Sequence, residues 1–365
     1  MSALTGLRKA FVAAIVLAAA LSPSASSPAL AQEQRQDART QAGSAVAWRD
    51  PGDISTRNLS YGPGSQELAP QAPFTFVSED KLGASPKFKV TDARGVTWSV
   101  KLGVEAQTET VATRVVWSMG YFAEESYYLD RAQVVGLPKL SRGQEFVEKN
   151  GIVRGARFEP RRGTESRAAQ WDWEENPFVG TRQLNGLKVL MALLGNYDNR
   201  PENNLVLSVR DAQTGAEETR YIVSDIGATL GKVGGMGGKR SKNNLEDFRA
   251  SKFVTGVEGG FVKFDFSTKP KGAGGFFAKI FNPGYAKSQA QKERVMKNIP
   301  VEDARWIGTQ LSQLSDDQLR DAFRAAGYDN ATMDGYVAAL RSRINQLVGL
   351  PSASTAVADA QSDKR

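Results

Sequence analysis

The 365-residue chain contains neither a cysteine nor a histidine. With no disulfide and no thiolate or imidazole metal centre to staple it, whatever it folds into must be held by buried apolar surface. The length allows one large or two ordinary domains with a sizeable core, and a composition 41% hydrophobic and 24% charged is that of a globular chain. The same absence limits the chemistry. Ser-His-Asp triads, Cys-His pairs, HExxH zinc sites and imidazole proton shuttles are all excluded, so any reaction must run on carboxylates, amides, hydroxyls, lysine and arginine.

The ends speak to destination. Arg8 and Lys9 precede an apolar run over residues 11–21, and small residues follow up to Ala29-Leu30-Ala31. This is the pattern of a secretory signal peptide over residues 1–31, too short for a comfortable bilayer span and followed by an A-x-A cleavage site. The expectation is an exported protein, periplasmic or extracellular, with no transmembrane segment after cleavage. The net charge of +7 includes the two positive charges of that leader, so the remainder is only mildly basic. Residues 32–73 are rich in Gln, Ser, Gly, Ala and Pro without sustained periodicity and read as a flexible linker; residues 351–365 read as a disordered tail.

Between these ends, strand patterns at residues 74–77, 87–91 and 97–102 predict a small antiparallel sheet, its last pair joined by Asp92-Ala93-Arg94-Gly95. In the third strand Trp98, Val100 and Leu102 share one face, which turns Ser99 and Lys101 to the other. A helix is predicted over residues 105–119, with Val111, Val115 and Met119 on one stripe, Gly120 as its stop, and Glu109 on the face of Ala112 and Val116. Strand-like pieces at 126–135 and 152–158 follow. Then the pattern turns helical: an apolar helix at 181–194, a polar loop at 196–204, a hairpin of strands 205–209 and 220–224, a capping box at Ser315-Asp316-Asp317-Gln318, and a last helix at 333–348.

The chemistry-bearing residues cluster around that hairpin. Asp198 stands five residues before Asn203, and Ser224-Asp225-Ile226-Gly227 sets a second acid at the end of the returning strand. Hairpin strands lie about 4.8 Å apart, so Asn203 and Asp225 can converge. Two acids and an amide suit a hard cation such as magnesium, which takes oxygen ligands and shares its shell with phosphate and water.

This constellation resembles the protein-kinase-like superfamily. Asp198-Asn199-Arg200-Pro201-Glu202-Asn203 is similar to the catalytic loop of protein kinases, Asp225-Ile226-Gly227 to their metal-binding DFG triplet, the strand 98–101 to the one carrying the ATP-binding lysine, and Glu109 to the helix glutamate that pairs with it. The better match is to the atypical HipA-like and phosphatidylinositol-kinase-like branch, where Gly83-Ala84-Ser85-Pro86-Lys87 resembles a short phosphate loop. The resemblance spans residues 74–350. It implies an α+β, two-lobed fold with a mostly β N-lobe over 74–163 and a mainly α-helical C-lobe over 164–350.

It also implies roles. Asp198 would orient or deprotonate an acceptor hydroxyl, Asn203 and Asp225 would hold magnesium, Lys101 would bind ATP phosphates with Glu109 positioning it, and Gly83, Ser85 and Lys87 would cover the phosphates. Phosphoryl transfer needs positioning and charge neutralisation rather than imidazole. The expected function is magnesium-dependent transfer from ATP to a hydroxyl; the alternative is an inactive kinase-like binding or scaffold module of the cell envelope. The sequence departs from the kinase pattern in having Asn196-Tyr197 before the aspartate, Ile226 for phenylalanine, no G-x-G-x-x-G and no APE-like anchor, and a glycine-rich basic loop at 231–244 follows Asp225. Asp172, Glu174 and Glu175 around Trp171 and Trp173 read as a solvated turn between two core tryptophans, with a substrate or second metal site as the alternative. The basic stretches at 239–242 and 263–279, the second interspersed with phenylalanines, offer nucleic-acid or anionic-polymer binding as an alternative, but the small net charge of the whole chain after the leader and the expected export argue against nucleic acid as a partner.

Overall fold

The computed structural model describes residues 45–83, 85–161, 166–210, 217–234, 240–266 and 283–352. The leader expected at 1–31, the first part of the linker, the hairpin turn 211–216, Ala84, Gly235, Gly237, Gly238, Lys239, and the stretch 267–282 with Phe276 and Phe277 lie outside these residues, as does the tail from 353. Secondary structure is mixed, with seven α-helices among the described residues.

A two-residue strand β1 (Ala45–Val46) comes first. Strands β2 (Phe74–Asp80), β3 (Lys87–Thr91), β4 (Thr97–Leu102), β5 (Tyr127–Val135) and β6 (Ile152–Pro160) form a closed barrel in the order β2-β3-β4-β6-β5. The predicted antiparallel pairings β2/β3 and β3/β4 are present, and a short parallel pairing of β2 with β5 closes the barrel. The β3–β4 turn is built by Asp92, whose carboxylate accepts from the backbone N–H groups of Arg94 and Val96 at 2.9 Å each. Phe88, Val90, Trp98, Val100, Leu102 and Phe158 fill a core of their own. Period-two alternation then presses Ser99 and Lys101 outward, yet both are buried, because helix α1 (Glu105–Ser118) covers that face of β4. The helix ends at Gly120, whose φ of 87° favours glycine and where a Cβ would stand 2.0 Å from the Arg49 carbonyl oxygen.

The remaining elements share a second, larger core. Strand β7 (Ser166–Ala169), helix α2 (Arg182–Leu194) and the hairpin β8 (Asn204–Arg210) and β9 (Glu217–Val223) come first, with sheet order β1-β9-β8-β7. Helix α3 (Leu245–Ala250), strands β10 (Val254–Glu258) and β11 (Phe261–Phe264), helix α4 (Pro283–Val295), strand β12 (Ile299–Pro300) and helices α5 (Val301–Ser312), α6 (Asp316–Arg324) and α7 (Asn330–Val348) follow. Helix α2 starts at the Thr181 side-chain cap and ends at Gly195, φ 68°. The capping box at Ser315 and Gln318 forms in both directions.

The linker expected over residues 32–73 needs correction in its described part. Ile54 and Leu59 are fully buried in the larger core, and the Gln318 side-chain amide donates to the carbonyls of Ile54, Ser55 and Arg57 at 2.9, 3.1 and 2.9 Å. Two isolated apolar residues in polar surroundings carry no periodicity, so composition alone pointed to a linker. The three-stranded sheet β10-β11-β12 also stands within the region read as helical.

Candidate active site

Lys101 reaches from β4 into the space under α1. Its ammonium donates to Glu109 at 2.8 Å and Asp225 at 2.5 Å and pairs with Glu105 at 3.0 Å. The anticipated Lys101–Glu109 pair is therefore formed, and the triplet beyond β9 joins it. Burial acts to discharge Lys101, but the carboxylates of Glu109, Asp225 and Glu105 outweigh it and hold the lysine's pKa well above its ordinary value. For Glu105, burial is likewise outweighed by Lys101 and by hydrogen bonds from Lys242 and Ser85, which bring the carboxyl down to about 2.

Glu109 holds a second cation. Arg157 is the register partner of Lys101 on β6 and so shares its face; its guanidinium lies 2.9 Å from Glu109 and 2.6 Å from Glu159. An ionic chain thus runs from the half-exposed Asp225 through the buried Lys101, Glu109, Arg157 and Glu159.

That chain reaches a cavity of about 580 Å³ floored by Leu205, Leu207 and Ile222 and bordered by Phe122, Glu124 and Glu159. Burial and the charge of Glu159, opposed by Arg157 and a 2.7 Å hydrogen bond from Ser224, push the Glu124 carboxyl up to about 7. A pKa raised in the folded state stabilises the fold below the unfolded value and loses that contribution as pH rises through the folded value. Glu124→Gln is accordingly expected to melt close to the parent at pH 5 and progressively above it as pH rises to 8, with about 1.4 kcal/mol at stake per pKa unit. Melting curves across that range check it; a constant difference contradicts it.

The polar loop between α2 and β8 shapes the other side. The Asn196 side chain accepts from the Asp198 backbone N–H at 2.8 Å, so it fixes the loop where protein kinases carry a different pair. One Asp198 oxygen accepts from Lys292 at 2.6 Å; the other accepts from Arg200 at 2.8 Å and from the Asn203 amide at 3.1 Å. Burial would raise the Asp198 pKa, but Lys292 and Arg200 hold it below the usual range. Lys292 itself is also lowered, because its burial and the nearby charges of Arg200 and Arg240 outweigh the pairing with Asp198.

Hairpin register brings the metal-ligand candidates together. Asn204 pairs with Val223, and the Ser224 N–H donates to the Asn203 carbonyl at 2.8 Å, which leaves Asp225 just beyond. Asp225 has a φ of 47°, an unusual left-handed turn for a non-glycine residue, and Ile226 behind it is buried in the larger core. Donation from the Asn203 amide nitrogen to Asp198 fixes that amide and makes its oxygen the remaining ligand atom. One amide oxygen and one carboxylate suit magnesium, which fills out its shell with water and phosphate. Among the described residues no group of three or more acidic side chains is disposed to cage a metal by itself.

The phosphate-loop candidates are less uniform. Gly83 has a φ of 73°, and a Cβ there would sit 3.7 Å from the Lys87 ammonium; its carbonyl accepts from Arg142 at 2.6 Å. Lys87 faces Lys101 across β3 and β4. Ser85 is turned inward, donating to Glu105 at 2.6 Å.

Glu105, Arg157 and Lys292 were missed in the sequence. Glu105 sits one helical turn before Glu109 and Arg157 alternates onto a cross-strand face, so both left a faint signal. Asp172 and Glu174 hold helix α4 through Gln291 at 2.9 Å and Arg294 at 3.1 and 3.0 Å, with Trp171 and Trp173 buried beside them.

The chain matches no protein-family model and no curated protein. Among solved structures it is similar to the Helicobacter pylori proinflammatory kinase CtkA, at 12% identity and a TM-score of 0.32, over 76% of this chain and 99% of that one. It is similar to the Golgi casein kinase with Mn/ADP bound at 11% identity and 0.27, over 81% and 82%. Amicoumacin kinase hAmiN in complex with AMP-PNP and Ca2+ follows at 10% identity and 0.18, over 88% and 97%. All three are kinases; at these scores the weight falls on the geometry of the site itself.

Proposed function

We propose that the chain is a two-lobed, kinase-like phosphotransferase that moves the γ-phosphoryl group of ATP to a hydroxyl with magnesium bound. The observation that carries this reading is the meeting of Lys101, Glu109 and Asp225 from strand, helix and post-hairpin turn, beside a loop on which Asn203 clasps Asp198. The turn that carries Asp225 lies 124 residues from Lys101 in sequence, and packing alone does not require it to place a carboxylate on that buried lysine.

In this reading Lys101 neutralises nucleotide phosphates, Glu109 and Arg157 fix its position, and Gly83 and Lys87 cover the phosphates. Asn203 and Asp225 would hold magnesium, which when bound neutralises phosphate charge. Asp198, held as a carboxylate by Lys292 and Arg200, accepts the hydrogen bond of the acceptor hydroxyl and so aims its oxygen at the γ-phosphorus. The new P–O bond forms as the bond to the ADP oxygen breaks, and the hydroxyl proton passes through Asp198 to solvent. Little basicity is needed, because the transition state for phosphoryl transfer is loose.

The cavity over Leu205, Leu207 and Ile222 adjoins this centre through Glu124 and Glu159. The HipA-like branch and export remain parts of the proposal: the first rests on the short loop at residues 83–87, the second on Arg8, Lys9 and the apolar run after them. In the described residues no helix is long and apolar enough to cross a membrane. An inactive binding module is the second reading, favoured by the Lys101–Asp225 pair, which engages a metal-ligand candidate with a protein cation. Labelled γ-phosphate separates the two. With magnesium present, the parent is expected to pass label to water or to its own hydroxyls, and Asp198→Asn is expected not to.

A further inference from the structure

Helix α4 is polar, yet it packs inward. Gln289 and Lys292, three residues apart on one face, are buried, with Val295 and Met296 continuing toward the larger core. Burying a lysine carries a large desolvation cost unless it is paired, and an apolar residue at 292 would meet that packing need more cheaply. The helix spends this position on the Asp198 carboxylate, 2.6 Å away, with the Lys292 side chain only 5% exposed.

Independent contacts dock the helix in register. The Lys292 carbonyl accepts from Asn199, the residue after Asp198, at 3.4 Å. Gln291 and Arg294 bind Asp172 and Glu174 on the outer side. Gln289 meets Arg240, whose guanidinium lies 5.4 Å from the centroid of the Tyr197 ring. The loop is thus gripped by a helix 94 residues distant through both the side chain and the backbone of one residue.

Arg200 already neutralises Asp198 from within the loop. A second, buried cation is therefore not needed for charge balance. Its distinct effect is geometric: Arg200 and Asn203 fix one carboxylate oxygen, and Lys292 fixes the other, so the plane of the group is set.

We propose that Lys292 is a positioning residue for phosphoryl transfer, a remote lysine that orients the Asp198 carboxylate toward the acceptor. The proposal rests on the phosphotransferase reading above. Because Lys292 contacts Asp198 and not the Lys101 cluster, its loss acts on turnover and leaves nucleotide binding in place. Misplacing a reacting group by about 1 Å costs on the order of a hundredfold in rate.

The test uses the full chain with Lys292→Gln, Lys292→Met and Lys292→Arg. Lys292→Met keeps the buried stem and guards against a variant that fails to fold. Release of inorganic phosphate from ATP with magnesium gives kcat and KM, and thermal unfolding with and without ATP and magnesium reports folding and binding. Both neutral variants are expected to lose about a hundredfold in kcat with KM for ATP within about twofold, and Lys292→Arg to recover most of the rate. Neutral variants that keep the parent's kcat overturn the proposal. So does a matching fall in kcat, binding and unfolding midpoint that Lys292→Arg does not reverse, since that is the mark of a structural lysine. A parent that binds ATP without turning it over overturns it as well, whereas a parent with no ATP-dependent shift at all overturns the underlying phosphotransferase reading.

Discussion

Glu109→Gln is expected to lower the stability of the fold by about 3–5 kcal/mol, the usual effect of removing one partner from a buried ion pair. Glu109 is 1% exposed and is the shared anion between Lys101 at 2.8 Å and Arg157 at 2.9 Å. The amide keeps the shape but removes the charge, leaving two cations under α1 with less to neutralise them. Glu159 still serves Arg157, and Glu105 and Asp225 still serve Lys101, so the fold is weakened rather than abolished. Asp225→Ala makes the contrast: its side chain is 46% exposed, and pairs that open to solvent contribute about 0–1 kcal/mol. Chemical denaturation of the two variants checks this. Equal losses would mean that Glu109 is not the anchor of the chain of charges.

Asp198→Asn is expected to lower phosphoryl transfer by about 10²–10⁴-fold, the range that a positioned acid–base group contributes. The amide would keep one oxygen as an acceptor, but it presents a nitrogen donor to Lys292 or to Arg200 and Asn203, all of which are themselves donors. The loop must rearrange, and the acceptor loses its negative partner. Nucleotide binding is expected to persist, because Lys101 and Asp225 lie outside those contacts. Initial rates at saturating ATP measure the effect. A variant with the parent's rate would remove Asp198 from the reaction.

Much of this site was legible in the sequence because it is built from local rules. Alternation along β4 turned Lys101 away from the barrel interior; helical spacing put Glu109 beside Ala112 and Val116; the hairpin brought Asn203 near Asp225. Each step needs only a strand, a helix or a turn. The unread parts depend on register over long distances. Barrel closure rests on a short parallel contact between β2 and β5, and Arg157 becomes a partner of Lys101 only once β4 and β6 are aligned. Lys292 left no signal at all, since a lysine in a polar helix is ordinarily solvated, and only docking against Asp172 and Glu174 turns it inward. Ile54 and Leu59 were hidden in the same way, as solitary apolar residues buried only once the larger core assembles around them.

The site's departures from the protein-kinase pattern have local replacements. Asn196 holds the Asp198 backbone, and Ile226 fills a place in the larger core. Beyond Gly227, whose carbonyl accepts from Thr108 at 2.6 Å, the Asn243 side chain donates to Gln107 at 3.0 Å and so reaches α1. The helix carrying Glu109 is thereby held by the segment that follows Asp225, which couples the metal-ligand candidate to the lysine's partner.

The most direct measurement is thermal unfolding with magnesium alone, ATP alone and both together, repeated on Asp225→Ala. At roughly a hundred times the dissociation constant a ligand adds about 2.7 kcal/mol, which moves the midpoint by several degrees. A rise that needs both ligands in the parent and is lost in Asp225→Ala is the expected result. No rise under any condition, or one that survives Asp225→Ala unchanged, would contradict a magnesium–nucleotide site at Lys101, Asn203 and Asp225.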